Sequence, residues 1–593
     1  MHTPREQARL FLDNEKAFRL GALPTEQSHP VTATLSDTMA KSTVDGIETL
    51  MRVDDDIPPA MQRIVADPAF AQLVEALTEA IVAGRRVFLT GCGATGRLAI
   101  LLEAAWRTFW QELRASWPSL HATLPNREDT FVSVMAGGDH ALIRSVEGFE
   151  DSTDLGRHQL KEAGVAAGDV VVAVTEGGET SFVIGTAWQG LEAGARVFFA
   201  YNNPTEVLRE HVARSREVIE EPRITKLDLF TGSMAIAGST RMQATTTELL
   251  AIGGALELAL LDVISRWAPP EALRPLGLPA RRAEDYPRMF AQLIEQLRRR
   301  ENVEAIAGLI QWEESVYRKQ GLVTYMTDRF LLDVLTDTTE RAPTFRLPPF
   351  RKCDDAVSAR SWAFVKNPCC DTPEAWFRVL RREPRGIDWP MSVYESLNVV
   401  TVIRNGLPRL NNAEIAKFRI GNERDPSRFE ANDSGLAMIL VGGEITQQGP
   451  LRDAFDAGFA EHAPHFARTA AIGIGPSRPD RQVETVFHFA CELPDSPLQL
   501  WERLAAKLVL NLMSTATMVR IGRVDGNYMS HVETTNKKLI DRGTRLVAHL
   551  AGVDYETACY ALHEAMHEVA HQDKTTKDAP SPVAVAVKRL RKG

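Results

Sequence analysis

Short apolar runs ending in glycine or hydroxyl turns alternate with stretches of helical periodicity through the first half of the chain. Arg86-Val-Phe-Leu-Thr90, Phe131-Val-Ser-Val-Met135, Asp169-Val-Val-Val-Ala-Val174 and Ala195-Arg-Val-Phe-Phe-Ala200 are rich in Val and Phe and too short for helices. Such runs predict strands buried on both faces. Helical stretches lie between them, such as Thr95 to about Ser116 and Ser181 to Ala193, and Thr245 to Trp267 closes the unit. Strand, turn and helix in rotation predict a parallel α/β/α sandwich.

The pattern then repeats. Residues 1–24 read as a loosely held helical leader, and Ile47 to Ala83 as helix broken near Pro58-Pro59. Pro269 to Pro279 reads as a linker, followed by helices from Tyr286 to Arg318. A second alternating unit has strand candidates at Leu322 to Thr327, Val399 to Ile403, Leu436 to Val441 and Ala470 to Ile474. Helix Leu498 to Val519 and later helices to His571 finish it. The expected division is a helical N-terminal segment (1–60), a first α/β unit (61–268), linker and helices (269–320), a second α/β unit (321–497), a C-terminal helical region (498–575) and a mobile tail (576–593).

Composition narrows the partners. Hydrophobic residues make up 44% and charged residues 25%, enough for an ordinary soluble core. The net charge is −10, with no basic run, so nucleic acid is not expected as a partner. No run of about 18 apolar residues predicts a membrane span, and Met1 to Asn14 carries no signal core. Six cysteines without CxxC spacing predict free thiols in a reducing cytoplasm, with no disulfide framework and no zinc or other metal site.

The glycine turns carry the candidate chemistry. The first strand runs into Gly91-Cys-Gly93-Ala94-Thr95-Gly96-Arg97 and then a helix. Glycines allow tight turns and close backbone approach. Helix-start amides hold an anion, Thr95 adds a hydroxyl and Arg97 a charge. On its own this GxGxxG admits a dinucleotide site, a structural turn or a phosphate cradle. A dinucleotide site, and with it a nucleotide-binding oxidoreductase, wants an acidic residue ending the next strand, where the chain has Ala136-Gly-Gly138. A second turn, Thr175-Glu176-Gly177-Gly178-Glu179-Thr180, also opens a helix and favours the phosphate reading, because strands of one parallel sheet bring both turns to one crevice. Glu176 and Glu179 oppose a phosphate unless they point away or bind sugar hydroxyls. A third turn, Gly238-Ser239-Thr240-Arg241-Met242, opens another helix, with Ser239 and Thr240 suited to cap it or to touch ligand.

At these turns the chain resembles the family of N-acetylmuramic acid 6-phosphate etherases and glucokinase regulatory proteins, built on sugar-isomerase (SIS) domains. Thr25 to Pro30, Ile47 to Asp56, Ala136 to Asp139, Val146 to Asp151 and Gly238 to Met242 are similar to etherase segments, as are Lys507 to Thr515, Gly526 to Met529 and Thr535 to Leu539. The etherase pattern covers 25–265 and 498–570, with a second α/β unit between. That layout resembles the glucokinase regulatory protein. The resemblance implies two tandem SIS domains of flavodoxin-like α/β/α type with flanking helices, acting as a monomeric pseudo-dimer or a homodimer, with no cofactor. The second domain has Met326-Thr-Asp-Arg-Phe-Leu-Leu332 in place of a glycine turn, so one phosphate site is expected.

Etherase chemistry takes a proton from carbon 2 of the sugar and expels lactate from carbon 3, with one carboxylate as base and one as acid. The resemblance places one at Glu150. The other falls fourteen residues beyond Gly91, where this chain has Ala105. Glu103 lies about 200° round the helix and cannot replace it. Lys507, Asn511 and Ser514/Thr515 share one face of a late helix, which either meets solvent or lines the site. The resemblance favours the site, with Lys507 reaching the bound phosphate. The expectation is a sugar-phosphate binder of regulatory type, holding phosphate with Thr95, Thr175, Thr180 and loop amides, using Glu150 and Glu179 on sugar hydroxyls, and partnering a sugar kinase. The alternative is a lyase or isomerase with Glu150 as base.

Overall fold

The computed structural model describes residues 2–146, 148–397, 399, 402, 406–430, 433–570, 578 and 580–592. The four apolar runs of the first half become β1 (Val87–Gly91), β2 (Phe131–Met135), β3 (Val170–Thr175) and β4 (Arg196–Tyr201). A fifth strand, β5 (Ile224–Asp228), completes a parallel sheet of order β2-β1-β3-β4-β5. The pattern missed β5 because it is an edge strand, partly buried and carrying Lys226.

The second sheet contains β6 (Val323–Met326), β7 (Ala363–Lys366), β8 (Gly435–Val441), β9 (Arg468–Ile474) and β10 (Thr485–Phe489), all parallel. Its order, β10-β9-β8-β6-β7, is the first sheet's order read from the other edge. Both halves therefore have the flavodoxin-like arrangement 2-1-3-4-5. The edge strands β7 and β10 were not foreseen, and the strand expected at Val399 to Ile403 falls largely outside the described residues.

Seven helices matter below: α1 (Ala94–Ser116), α2 (Thr153–Glu162), α3 (Ser181–Glu192), α4 (Gln243–Trp267), α5 (Leu331–Phe345), α6 (Leu500–Arg520) and α7 (Lys537–Ala551). Helices α1, α4, α5 and α6 pack where the halves meet, and one apolar core runs through both. Buried charges register that seam. The Arg241 guanidinium reaches Asp337 at 3.1 Å, Ser514 at 3.0 Å and Thr515 at 2.9 Å. Asp333 on α5 pairs with Arg503 on α6 at 2.6 Å.

Both chain ends are better held than the sequence reading expected. The leader contains helix Pro4–Asn14, capped by Thr3, and its Ala8 and Phe11 pack on Cys559. The expected mobile tail is corrected by helix Pro582–Lys592, whose Val583, Ala586 and Val587 are buried. That spacing is the apolar stripe of a docked helix. Pro58 and Pro59 sit in the first turn of helix Ile57–Ala66, where proline is tolerated. No described helix is long and apolar enough to cross a membrane.

Removing one partner of a buried ion pair typically costs about 3–5 kcal/mol, whereas an exposed pair contributes about 0–1 kcal/mol. Arg241→Ala is expected to lose stability in the first range by urea unfolding, and Arg266→Ala, which breaks the exposed pair with Asp262, to stay within the second.

Candidate functional site

Strands β1 and β3 are hydrogen-bonded neighbours, with Thr90 level with Ala173. The turns Gly91–Arg97 and Thr175–Thr180 therefore leave the sheet side by side, at the point where strand order reverses. A Cβ on Gly91 would lie 2.5 Å from the Thr95 carbonyl carbon, so this turn closes only on glycine. Gly93 has φ 57° and open space where a Cβ would be, so the backbone bends outward bare. Helices α1 and α3 start from these turns, and first-turn amides have no acceptor inside their own helix.

The hydroxyls are more committed than the sequence suggested. Thr95 Oγ1 accepts from Cys92 N at 3.0 Å and donates to Cys92 O at 2.9 Å. Thr175 donates to Thr180 at 3.0 Å, which leaves the Thr180 proton available. Gly178 N is spent on Thr175 O. Arg97 does not face the cradle. It is buried, its Nε donates to Leu142 O at 3.2 Å and Thr339 Oγ1 at 3.3 Å, and Glu340 lies at 4.0 Å. Its length carries the charge past the turn into the seam.

The third turn is tied to the second through the N-terminal segment. Asn203 donates to Gly177 O at 3.0 Å and to Thr25 Oγ1 at 2.9 Å, and Gly238 N donates to Thr25 O. Helix α4 starts at Gln243, so Ser239 and Thr240 do not cap it. Arg241 is the working residue of this motif, through the seam contacts above.

Glu150 is placed by a glycine crossing. Helices α2 and α3 touch backbone to backbone: a Cβ on Gly156 would lie 2.0 Å from Phe182 O, and one on Gly185 2.1 Å from Thr153 O. This closeness lets Phe182 N donate to Glu150 O, setting Glu150 beside the second turn. Its Oε2 accepts from Asn536 Nδ2 at 3.1 Å, at the start of α7.

Around it lies a ring of carboxyls with one central lysine. Burial pushes Glu150 up to about 7 against the pull of Lys538. Burial likewise pushes Glu176 up to about 7, again opposed by Lys538. Burial would also raise Glu179, but Lys538 at 2.7 Å and Arg214 at 3.0 Å hold it below its ordinary range. Glu248 is raised by burial and then by Glu176, and its Oε2 has no hydrogen-bond partner among the described residues. Burial would lower Lys538, but Glu179, Glu150 and Glu26 keep it above its ordinary value. Asn536 and Lys538 were not singled out from sequence, although both sit in the quoted Thr535–Leu539 motif. Glu248 and Glu340 gave no local signal.

Lys507 faces the same region from α6. It lines a cleft of about 470 Å³ with Ala94, Thr245, Glu340 and Asn511. Its Nζ donates to Arg241 O at 2.6 Å, and burial lowers it to about 8 while Glu340 opposes that fall. Glu103 faces elsewhere. Its carboxylate takes Arg385 at 2.9 Å, Arg107 at 3.0 Å, Arg382 at 3.1 Å and Ser133 Oγ at 2.6 Å. Burial would raise it, but Arg382, Arg385 and Arg107 bring it down to about 2. In the second half the turn after β6 is filled by the chain itself: Asp328 accepts from Asn367 at 2.6 Å, and Glu444 from Arg329 N at 2.9 Å.

Known proteins resemble this chain in sequence. Residues 69–189 match the model of the glucokinase regulatory protein N-terminal SIS domain. An N-acetylmuramic acid 6-phosphate etherase of Pectobacterium atrosepticum is 28% identical over 40% of this chain and 69% of its own length. One from Picosynechococcus is 31% identical over 39% of this chain and 67% of its own. The chain belongs to this family of SIS-domain proteins. Two equivalent five-stranded parallel sheets make this SIS protein a tandem one. The C-terminal domain of a Francisella tularensis glucosamine-fructose-6-phosphate aminotransferase aligns at 10% identity over 79% of this SIS protein and 95% of that chain, with a TM-score of 0.41, too loose to bear on function.

Adding a methyl where two helices touch costs about 1–3 kcal/mol when the backbone must yield. Gly185→Ala in this SIS protein is expected to lose that much in thermal unfolding, while Gly277→Ala, whose Cβ would meet nothing, is not expected to create such a clash; its φ of 59° makes any loss one of backbone conformation.

Proposed function

We propose that this SIS protein binds a phosphorylated hexose or amino sugar where the two glycine turns meet, and that it acts as a ligand-gated regulator. Amides of Gly93, Ala94, Thr95 and Ser181, with the Thr180 hydroxyl, take the phosphate. Glu150 and Glu179 take sugar hydroxyls, and Lys507 reaches in from the C-terminal region. A sugar kinase is the kind of partner such a regulator holds.

The observation that carries this reading over catalysis is the state of Glu103. The family position for the second carboxylate is Ala105, and the nearest acid is sealed among three arginines at about 2. A carboxylate so far below neutrality holds no proton to give a leaving group.

A second reading rests on Glu150 and Glu176. Both stand near 7, raised chiefly by burial, and the Glu150 charge adds to the rise of Glu176. Two such carboxyls supply one base and one acid, so a lyase or isomerase on the same sugar phosphate would show a bell-shaped pH profile around neutrality.

Incubation with N-acetylmuramic acid 6-phosphate separates the two. The regulatory reading expects binding without lactate, and brisk lactate release abolished by Glu150→Gln would replace it with the second reading. A hydrogen bond to a charged group contributes about 1.5–3 kcal/mol, so Lys507→Ala is expected to weaken binding about 10- to 100-fold by calorimetry. Unchanged affinity would remove Lys507 from the site. Because Lys507 is charged below about 8 and neutral above it, wild-type affinity should fall as pH rises through that value.

A further inference from the structure

The chain is acidic overall, yet the fold gathers a strongly basic cleft on the second half. It lies along β7, the edge strand of the second sheet, and shares no residue with the site above. The segment around residues 417–428 runs beside that edge. Asn367 N donates to Ile420 O at 2.6 Å, and Lys366 Nζ donates to Arg419 O at 3.0 Å. Its far end is pinned by Arg428, which donates to Ser361 O at 2.6 Å and Val323 O at 2.7 Å. The cleft between this segment and residues 351–361 has a cavity volume of about 150 Å³ and opens to solvent.

Seven Arg and Lys side chains line it, against one acid, Asp425. Three of the seven are matched nearby: Lys352 by Glu414 at 2.7 Å, Lys417 by Asp354 at 2.7 Å, and Arg360 by Glu430 at 3.8 Å. The other four are not. Among the described residues, Arg351, Arg419, Arg424 and Arg428 have no carboxylate oxygen within ion-pair distance: Arg351 donates to Ser358 O and Arg424 meets His465. Arg428 is the most deeply buried of them. Its side chain is 3% exposed, lies over the Phe364 ring at 5.4 Å and finds only neutral oxygens. A buried guanidinium normally brings a counter-charge, because desolvating it alone is costly. Here no carboxylate among the described residues pairs with it directly, and Asp425 supports its charge only from beyond ion-pair distance. The seven cations still outnumber the five nearby acids, Asp354, Asp355, Glu414, Asp425 and Glu430, in a protein of net charge −10.

We propose that this cleft is a second binding site, for a small phosphate-bearing anion. Guanidinium forks match phosphate oxygens in pairs, which favours a phosphoryl group over an isolated carboxylate. The Arg428 fork is already committed to protein oxygens, so Arg351, Arg419 and Arg424 supply the donors, and the recessed cleft suits a small molecule more than a nucleic acid strand or a membrane surface. The sequence shows no basic run because the cations are spread from Arg351 to Arg428, and only the fold along β7 assembles them.

Cys353 lines the cleft, is exposed, and reports on it locally. The probe is inorganic pyrophosphate with the full chain, and the readout is the iodoacetamide labelling rate of Cys353 by peptide mass spectrometry. Millimolar pyrophosphate is expected to slow labelling at least fivefold. The protection should vanish in Arg351→Ala/Arg419→Ala and persist in Lys507→Ala, which separates this cleft from the first site. Arg428 is left intact because it holds the strand starts, and the exposed Arg419→Glu alone serves if the double variant does not fold. Equal labelling with and without pyrophosphate would overturn the proposal. So would protection that survives loss of the arginines, or protection by a single-stranded oligonucleotide or anionic vesicles where pyrophosphate gives none.

Discussion

Parallel pairing of β1 with β3 is the constraint on which the first site depends. It brings two glycine turns to the same end of one sheet, at the reversal of strand order, and orients the starts of α1 and α3 toward one crevice. Everything else adjusts that crevice. The Gly156 and Gly185 crossing sets Glu150 above it, Asn203 and Thr25 fasten the third turn, and α7 brings Lys538. The second half repeats the strand order without the turns, and Asp328 and Glu444 occupy the corresponding place. A duplicated fold thus keeps the paired glycine turns in one half only.

The electrostatics of the crevice are those of a guarded cation. Lys538 is surrounded by Glu150, Glu176 and Glu179, and only Glu179 is firmly ionised by its partners. Glu150 and Glu176 stand near neutrality, so each takes up or releases a proton at small cost. On the proposed reading, proton uptake at these carboxyls offsets the repulsion between an arriving phosphate and the acids of the second turn. The same property would serve acid–base chemistry, which is why one site supports two functional readings.

Much of this was legible in the chain. Fully buried parallel strands announce themselves as continuous apolar runs, and the glycine turns follow directly from them. The edge strands β5 and β10 were missed because they are only partly enclosed and mixed in sequence, and β7 because its buried run is only four residues long. The family resemblance marked Glu150 and Lys507, both of which lie around the crevice, and local motif reading marked the turns themselves. It failed where a long side chain leaves its own turn: Arg97 belongs to the seam rather than the cradle, and Arg241 joins residues more than ninety positions apart. Thr95 shows a different limit, since a hydroxyl in a tight turn is claimed first by its own backbone. The basic cleft along β7 is invisible in sequence because its charges come from separate segments.

The most direct test of the central claim is a thermal-shift series with phosphorylated hexoses and amino sugars, each beside its unphosphorylated counterpart. A ligand at 100 times its dissociation constant stabilises the folded state by about 2.7 kcal/mol. The account predicts a stabilisation of that size from at least one sugar phosphate, absent with the parent sugar and reduced in Lys507→Ala. Equal shifts from phosphorylated and plain sugars, or none from either, would contradict it.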